Sequence, residues 1–165
     1  MLRLLVILVI GLTAPPPATS AESVLQEMID AAQAGSTVVP EPGTYDGPIT
    51  IDKAITLDGQ GRVTIDAGGK GSVIYLDTDG AVLRNLRLTN SGESHNDIDA
   101  GVQVRGNFNV IKDNVIDNCL FGIDLEQSEH NIVRRNRISS KAVELGLRGD
   151  AVRLWYSFGN KITDN

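Results

Sequence analysis

The chain has a single cysteine, Cys119, and only seven residues of the Phe, Trp and Tyr kinds. After residue 12 it has no apolar run long enough to cross a bilayer. One cysteine excludes an internal disulfide framework, so stability must come from packing. So few rings leave an aliphatic interior. Acidic residues outnumber basic ones, 21 to 15, for a net charge of −6, and the cations form no stripe along the sequence. That balance excludes a nucleic-acid binder that works by neutralising phosphates. A strict six-residue period is missing, which excludes a left-handed hexapeptide helix. No two metal ligands stand at a recognised spacing.

What is present is a repeated frame. Pairs of aliphatic residues separated by one position occur at Ile74/Leu76, Val102/Val104, Ile123/Leu125 and Val152/Leu154. Each is followed after a turn by Leu83, Ile111, Val133 or Ile162, and the first three of these lead on to Leu88, Ile116 and Ile138. Successive pairs lie 28, 21 and 29 residues apart, the range of coiled repeat architectures. Alternation over three to five positions marks short half-buried strands. Stacking such units in parallel, about 4.8 Å apart, closes a continuous core and gives each strand a neighbour. The frame therefore predicts a right-handed parallel β-helix of four to five coils over residues 36–165. Asn114, Asn136 and Asn165 fall in register and predict an internal asparagine ladder.

Residues 1–21 read as a secretory signal: Arg3, the apolar run Leu4 to Leu12, then Pro15 to Ala21 with cleavage near Ala21. Loss of Arg3 leaves a net charge of −7. Val24, Leu25, Met28, Ile29 and Ala32 fall at helical spacing, and Gly35 is placed to terminate a helix, so residues 22–35 predict a helix capping the first coil. Its apolar side is expected to include Met28. No comparable cap is expected at the other end, which reads as a truncated product or the N-terminal piece of a longer β-helix, prone to self-association through its last strand. Insertions at Thr89–Ala100, Asp117–Phe121 and Ser139–Asp150 leave one corner of the coil, where solenoids commonly place binding sites.

The segments AGSTVVPEPGTYDGPITIDKAITLDGQG (34–61), DGAVLRNLRL (79–88), NDIDAGVQV (96–104), LFGIDLEQSEHNIVRRNRI (120–138) and GDAVRLWYSFGNKITDN (149–165) together resemble the NosD-type periplasmic accessory proteins of nitrous oxide reductase maturation. These lie within the broader carbohydrate-binding and sugar-hydrolase β-helix superfamily. The resemblance implies a periplasmic, non-catalytic protein assisting copper–sulfur centre assembly. It also implies as partners the membrane and ATPase components of an ABC transporter, a copper carrier and nitrous oxide reductase. Copper is implied by the resemblance alone.

Cys119 and His95 stand on successive insertions at the same corner, and thiolate and imidazole are copper(I) donors. Yet Cys119 precedes Leu120-Phe121 at a tight turn, where a free cysteine is more often a small buried hydrophobe. Asp97 and Asp99 suit a harder cation. His130 reads as a solvated turn residue. The outward positions Gln103/Arg105, Asp124/Glu126 and Arg153/Trp155 should stack coil upon coil, forming either a sugar- or partner-binding strip or plain cross-strand ion pairs. The alternative from another class is a polysaccharide lyase or glycosidase, with Asp97, Asp99, Asp124 and Arg153 nearest to an acid–base set, or a carbohydrate-binding module without turnover.

Overall fold

A computed structural model describes residues 24–165, so the expected signal at residues 1–21 lies outside the described residues. The chain winds into a β-solenoid of about five turns. One face is a five-stranded parallel sheet of β3 (Ile49–Ile51), β5 (Ile74–Leu76), β7 (Ala100–Val104), β10 (Phe121–Glu126) and β13 (Val152–Trp155). The rest of each turn belongs to a nine-stranded sheet with two branches. Its first branch comprises β1 (Thr37–Val38), the starts of β4 (Thr56–Asp66) and β6 (Val82–Thr89), β8 (Val110–Lys112), β11 (Ile132–Arg134) and β14 (Lys161–Thr163). The second comprises β2 (Gly43–Asp46), the ends of β4 and β6, β9 (Val115–Cys119) and β12 (Arg137–Ser140).

Every pairing is parallel, and the register follows the frame. Ile74, Val102, Ile123 and Val152 are successive partners, as are Leu83, Ile111, Val133 and Ile162. From Ile49 to Val133 these inward residues are fully buried, each contributing about 1.5–3 kcal/mol. In the last coil, Leu154 is 45% and Ile162 38% exposed. Gly106 is required by close approach, because a Cβ there would collide with the Thr78 carbonyl of the coil before it.

The amide ladder forms. The Asn114, Asn136 and Asn165 Oδ1 atoms accept from the backbone N–H groups of Leu86, Asn114 and Asn136, at 3.0, 3.2 and 3.0 Å. Their Nδ2 groups donate to the carbonyls of Leu83, Ile111 and Val133. A second ladder, at Asn109, Asn131 and Asn160, does the same for Ala81, Asn109 and Asn131 at the preceding corner.

The helix α1 spans Val24–Ala31 and buries Leu25 and Ile29 against the first coil. Met28, expected in that interface, is 36% exposed, because Leu25 and Ile29 already fill the inward side. The Gln26 side chain caps the edge of β3: its Nε2 donates to the Thr50 carbonyl at 2.9 Å and its Oε1 accepts from Thr50 N–H at 2.8 Å. A side-chain amide thus supplies the pairing a neighbouring strand would give. Gly35 takes the left-handed conformation, with φ of +83°, after the helix.

Candidate functional site

The outward face of the five-stranded sheet carries the predicted strip. Gln103, Asp124 and Arg153 are register partners across β7, β10 and β13, and Glu126 pairs with Trp155. Two insertions flank them, between β6 and β7 and between β12 and β13. The expected middle insertion shrinks to one residue, since β9 runs to Cys119 and β10 starts at Phe121, leaving only Leu120.

Asp124 points outward but is fully buried. Arg105 reaches it from one coil at 3.0 Å and Arg153 from the other at 2.6 Å, and these two side chains cover it. Arg105 also holds Glu126 at 2.7 Å. Arg153 lies over the Trp155 ring, 5.2 Å from its centroid. Trp155 is 49% exposed, with Tyr156 edge-on at 5.1 Å. Gln103 is buried beneath the first insertion, donating to the carbonyls of Asp97 and Ile98. The strip is a closed electrostatic network with one aromatic edge open to solvent.

Asp97 and Asp99 stabilise their own loop. The Asp99 Oδ2 accepts from Ser94 N–H at 2.8 Å, and the Asp97 Oδ2 accepts from Ser94 Oγ at 2.6 Å. Among the described residues, neither carboxylate bonds to Asp124, Arg105 or Arg153.

The corner between the insertions holds two hollows around Leu120. One, of about 290 Å³, is lined in part by Gly122, Ile138, Arg148 and Asp150, and the other, of about 240 Å³, by Glu93, His95, Val143 and Leu147. His95 is exposed and packs edge-on to Phe121, with ring centroids 5.7 Å apart. Lys141 is almost buried and its Nζ lies 3.7 Å from Glu93, tying the two insertions together.

Cys119 is 1% exposed, and its Sγ donates to the Asp117 carbonyl at 3.2 Å. Burial pushes the thiol up to about 11, so it stays protonated at neutral pH. His95 and Cys119 therefore share a corner without making a ligand set: the sulfur faces backbone carbonyls inside, while the imidazole packs on the surface. Among the described residues, no group of three or more His, Cys, Asp and Glu side chains could hold a metal ion. Among the described residues, Cys119 and His95 thus lie apart in environment, one sulfur inside and one imidazole at the surface, and do not assemble a copper centre in this arrangement. Native protein is expected to resist iodoacetamide at neutral pH, with the thiol rate rising only as pH approaches 11. Mass spectrometry of timed aliquots checks this, and complete labelling at neutral pH within the time that unfolded protein requires would contradict it.

His130 sits at a turn with φ of +56°, stacked on Phe108 at 5.3 Å. Three features escaped the sequence reading: the Glu93–Lys141 tie, the second asparagine ladder, and the alignment of Lys112 between Arg84 and Arg134. The ladder was open to view in the Asn-x-Ile and Asn-x-Val spacing at Asn109 and Asn131.

Residues 36–165 match the family model described as "Periplasmic copper-binding protein (NosD)". The chain is similar to the "Probable ABC transporter binding protein NosD" of Pseudomonas aeruginosa, at 29% identity over 116 residues covering 68% of this chain. It spans about a quarter of that relative's length, 27%. No solved structure matches the chain.

Proposed function

Because the chain belongs to the NosD family, we propose that it acts as a non-catalytic periplasmic accessory protein in assembling the copper–sulfur centre of nitrous oxide reductase, together with an ABC transporter. The observation that carries this reading is the family match across the whole solenoid, residues 36–165. The name of the Pseudomonas relative, a transporter binding protein, supports the transporter partnership. The site supports a docking role over turnover: Asp124 and Glu126 are both engaged by arginines, which leaves that carboxylate pair poorly suited to acid–base work on a glycosidic bond. The copper carrier and the reductase are proposed partners on the same grounds. Copper would then be handled by the assembly, with this chain contributing surfaces.

The test is disruption of the gene in the source organism, followed by assay of nitrous oxide reduction and the copper content of the purified reductase. A copper-poor, inactive reductase, restored by the gene and equally by its Cys119→Ser variant, supports the proposal. A fully metallated reductase after disruption sinks it. A second reading, carbohydrate binding, is favoured by the open Trp155 and Tyr156 rings, 49% and 75% exposed. Retention on a glycan array that is lost in Trp155→Ala would favour that reading.

A further inference from the structure

The first branch of the nine-stranded sheet carries a column of cations that its own chain balances only in part. On its outward side Arg84, Lys112 and Arg134 are direct register partners on β6, β8 and β11. Like charges directly opposite on adjacent strands are destabilising. Arg84 is relieved by Asp58 at 2.9 Å. Among the described residues, Lys112 and Arg134 make no ion pair, and the Arg134 Nε is buried without a hydrogen-bond partner. The adjacent carboxylate, Asp113, is occupied by Arg135 in a two-pronged pair at 2.7 and 2.9 Å; that pairing, with a smaller contribution from the Lys112 and Arg134 charges nearby, holds its carboxyl below the ordinary range. A chain with net charge −6 thus places two unpaired cations side by side.

Beside them runs an apolar column. Val110 and Ile132 face outward, partly buried and in register, two residues before Lys112 and Arg134. At the turn before that column, Phe108 stacks on His130, and Phe108 is 62% exposed. Cation and apolar columns therefore alternate at strand spacing, the spacing at which an extended polypeptide presents alternate side chains.

We propose that this face docks an acidic, amphipathic segment of a partner protein, with carboxylates paired to Lys112 and Arg134 and apolar side chains on Val110, Ile132 and Phe108. Arginine's planar fork suits a carboxylate, and the partner would supply the direct carboxylate contacts that Asp113, held by Arg135, does not make to these two cations. The repulsion is carried in the free state and relieved on binding. This inference stands independently of the copper-centre role.

Two arms test it. In the first, a fluorescein-labelled peptide repeating Val-Ser-Glu-Ser, which sets Val and Glu by turns on one side of an extended chain, is titrated with the purified protein, and fluorescence anisotropy is read at low and high salt. Controls are the same peptide with Gln for Glu, and vesicles of phosphatidylcholine with phosphatidylglycerol. The expected result is saturable, salt-sensitive binding of the Glu peptide alone, about tenfold weaker in Arg134→Gln and Lys112→Glu. In the second arm, Lys112→Glu is expected to raise Tm by about 2 °C, because it places a carboxylate between Arg84 and Arg134. Binding to anionic vesicles without the peptide would assign the face to a membrane and overturn the proposal. So would no peptide binding, affinity indifferent to both substitutions, or an unchanged or lowered Tm in Lys112→Glu.

Discussion

Asp124→Ala is expected to destabilise the protein by about 3 kcal/mol, lowering Tm by roughly 8 °C. Its carboxylate is fully buried and bonded to Arg105 and Arg153. Removing it leaves two guanidinium groups over the place it held, with no charge between them. Arg105 keeps Glu126 and Arg153 keeps the Trp155 ring, and the two side chains are 33% and 20% exposed, so the loss sits at the lower end of the range for a broken buried pair. The double variant Asp124→Ala/Arg153→Ala should recover part of that loss, since one stranded charge goes with it. Urea melts of the wild type, both single variants and the double variant measure the coupling. A loss below about 0.5 kcal/mol for Asp124→Ala would place this network among ordinary surface pairs.

That network marks the limit of what the sequence discloses. The alternation around Ile123 and Leu125 fixes which side of the strand Asp124 occupies. It cannot disclose that two arginines from neighbouring coils lie over it, since their sequence distances are 19 and 29 residues. Gln103 is covered for a similar reason, by a loop whose path no periodicity determines. Met28 was misplaced because helical spacing identifies an apolar side without saying how wide the partner surface is. The asparagine ladder was legible because a stacked fold turns register into sequence spacing. The same rule applied to polar outward residues would have aligned Arg84, Lys112 and Arg134, which stand 28 and 22 residues apart and so form no run of charge. The absence of a basic stripe in the sequence is therefore compatible with a cationic column in the fold. The site at the insertions is least legible, because Glu93, His95 and Lys141 meet through loops outside the repeat.

The asparagine ladder should show a gradient of cost along the solenoid, with Asn114→Ala the largest at about 3 kcal/mol. The Asn114 side chain is 1% exposed as a residue, accepts from Leu86 N–H at 3.0 Å and donates to the Leu83 carbonyl at 3.1 Å. Alanine at this corner strands both buried backbone groups, each worth about 1–3 kcal/mol when left unpaired. Asn136→Ala strands the Asn114 N–H and the Ile111 carbonyl one coil later, where Asn136 is still only 2% exposed. Its expected cost is close behind. In a polypeptide of residues 24–165 Asn165 is exposed, so water can replace its amide at Asn136 and Val133, and Asn165→Ala in that polypeptide should cost less than about 1 kcal/mol. Chemical denaturation of the three variants gives the order, and hydrogen exchange at the amides of Leu86, Asn114 and Asn136 locates each loss at the coil before the substitution. Equal costs at all three positions would mean that the ladder acts through turn geometry alone. The graded order would mean that its contribution is the satisfaction of buried backbone groups, which depends on how far each coil lies from solvent.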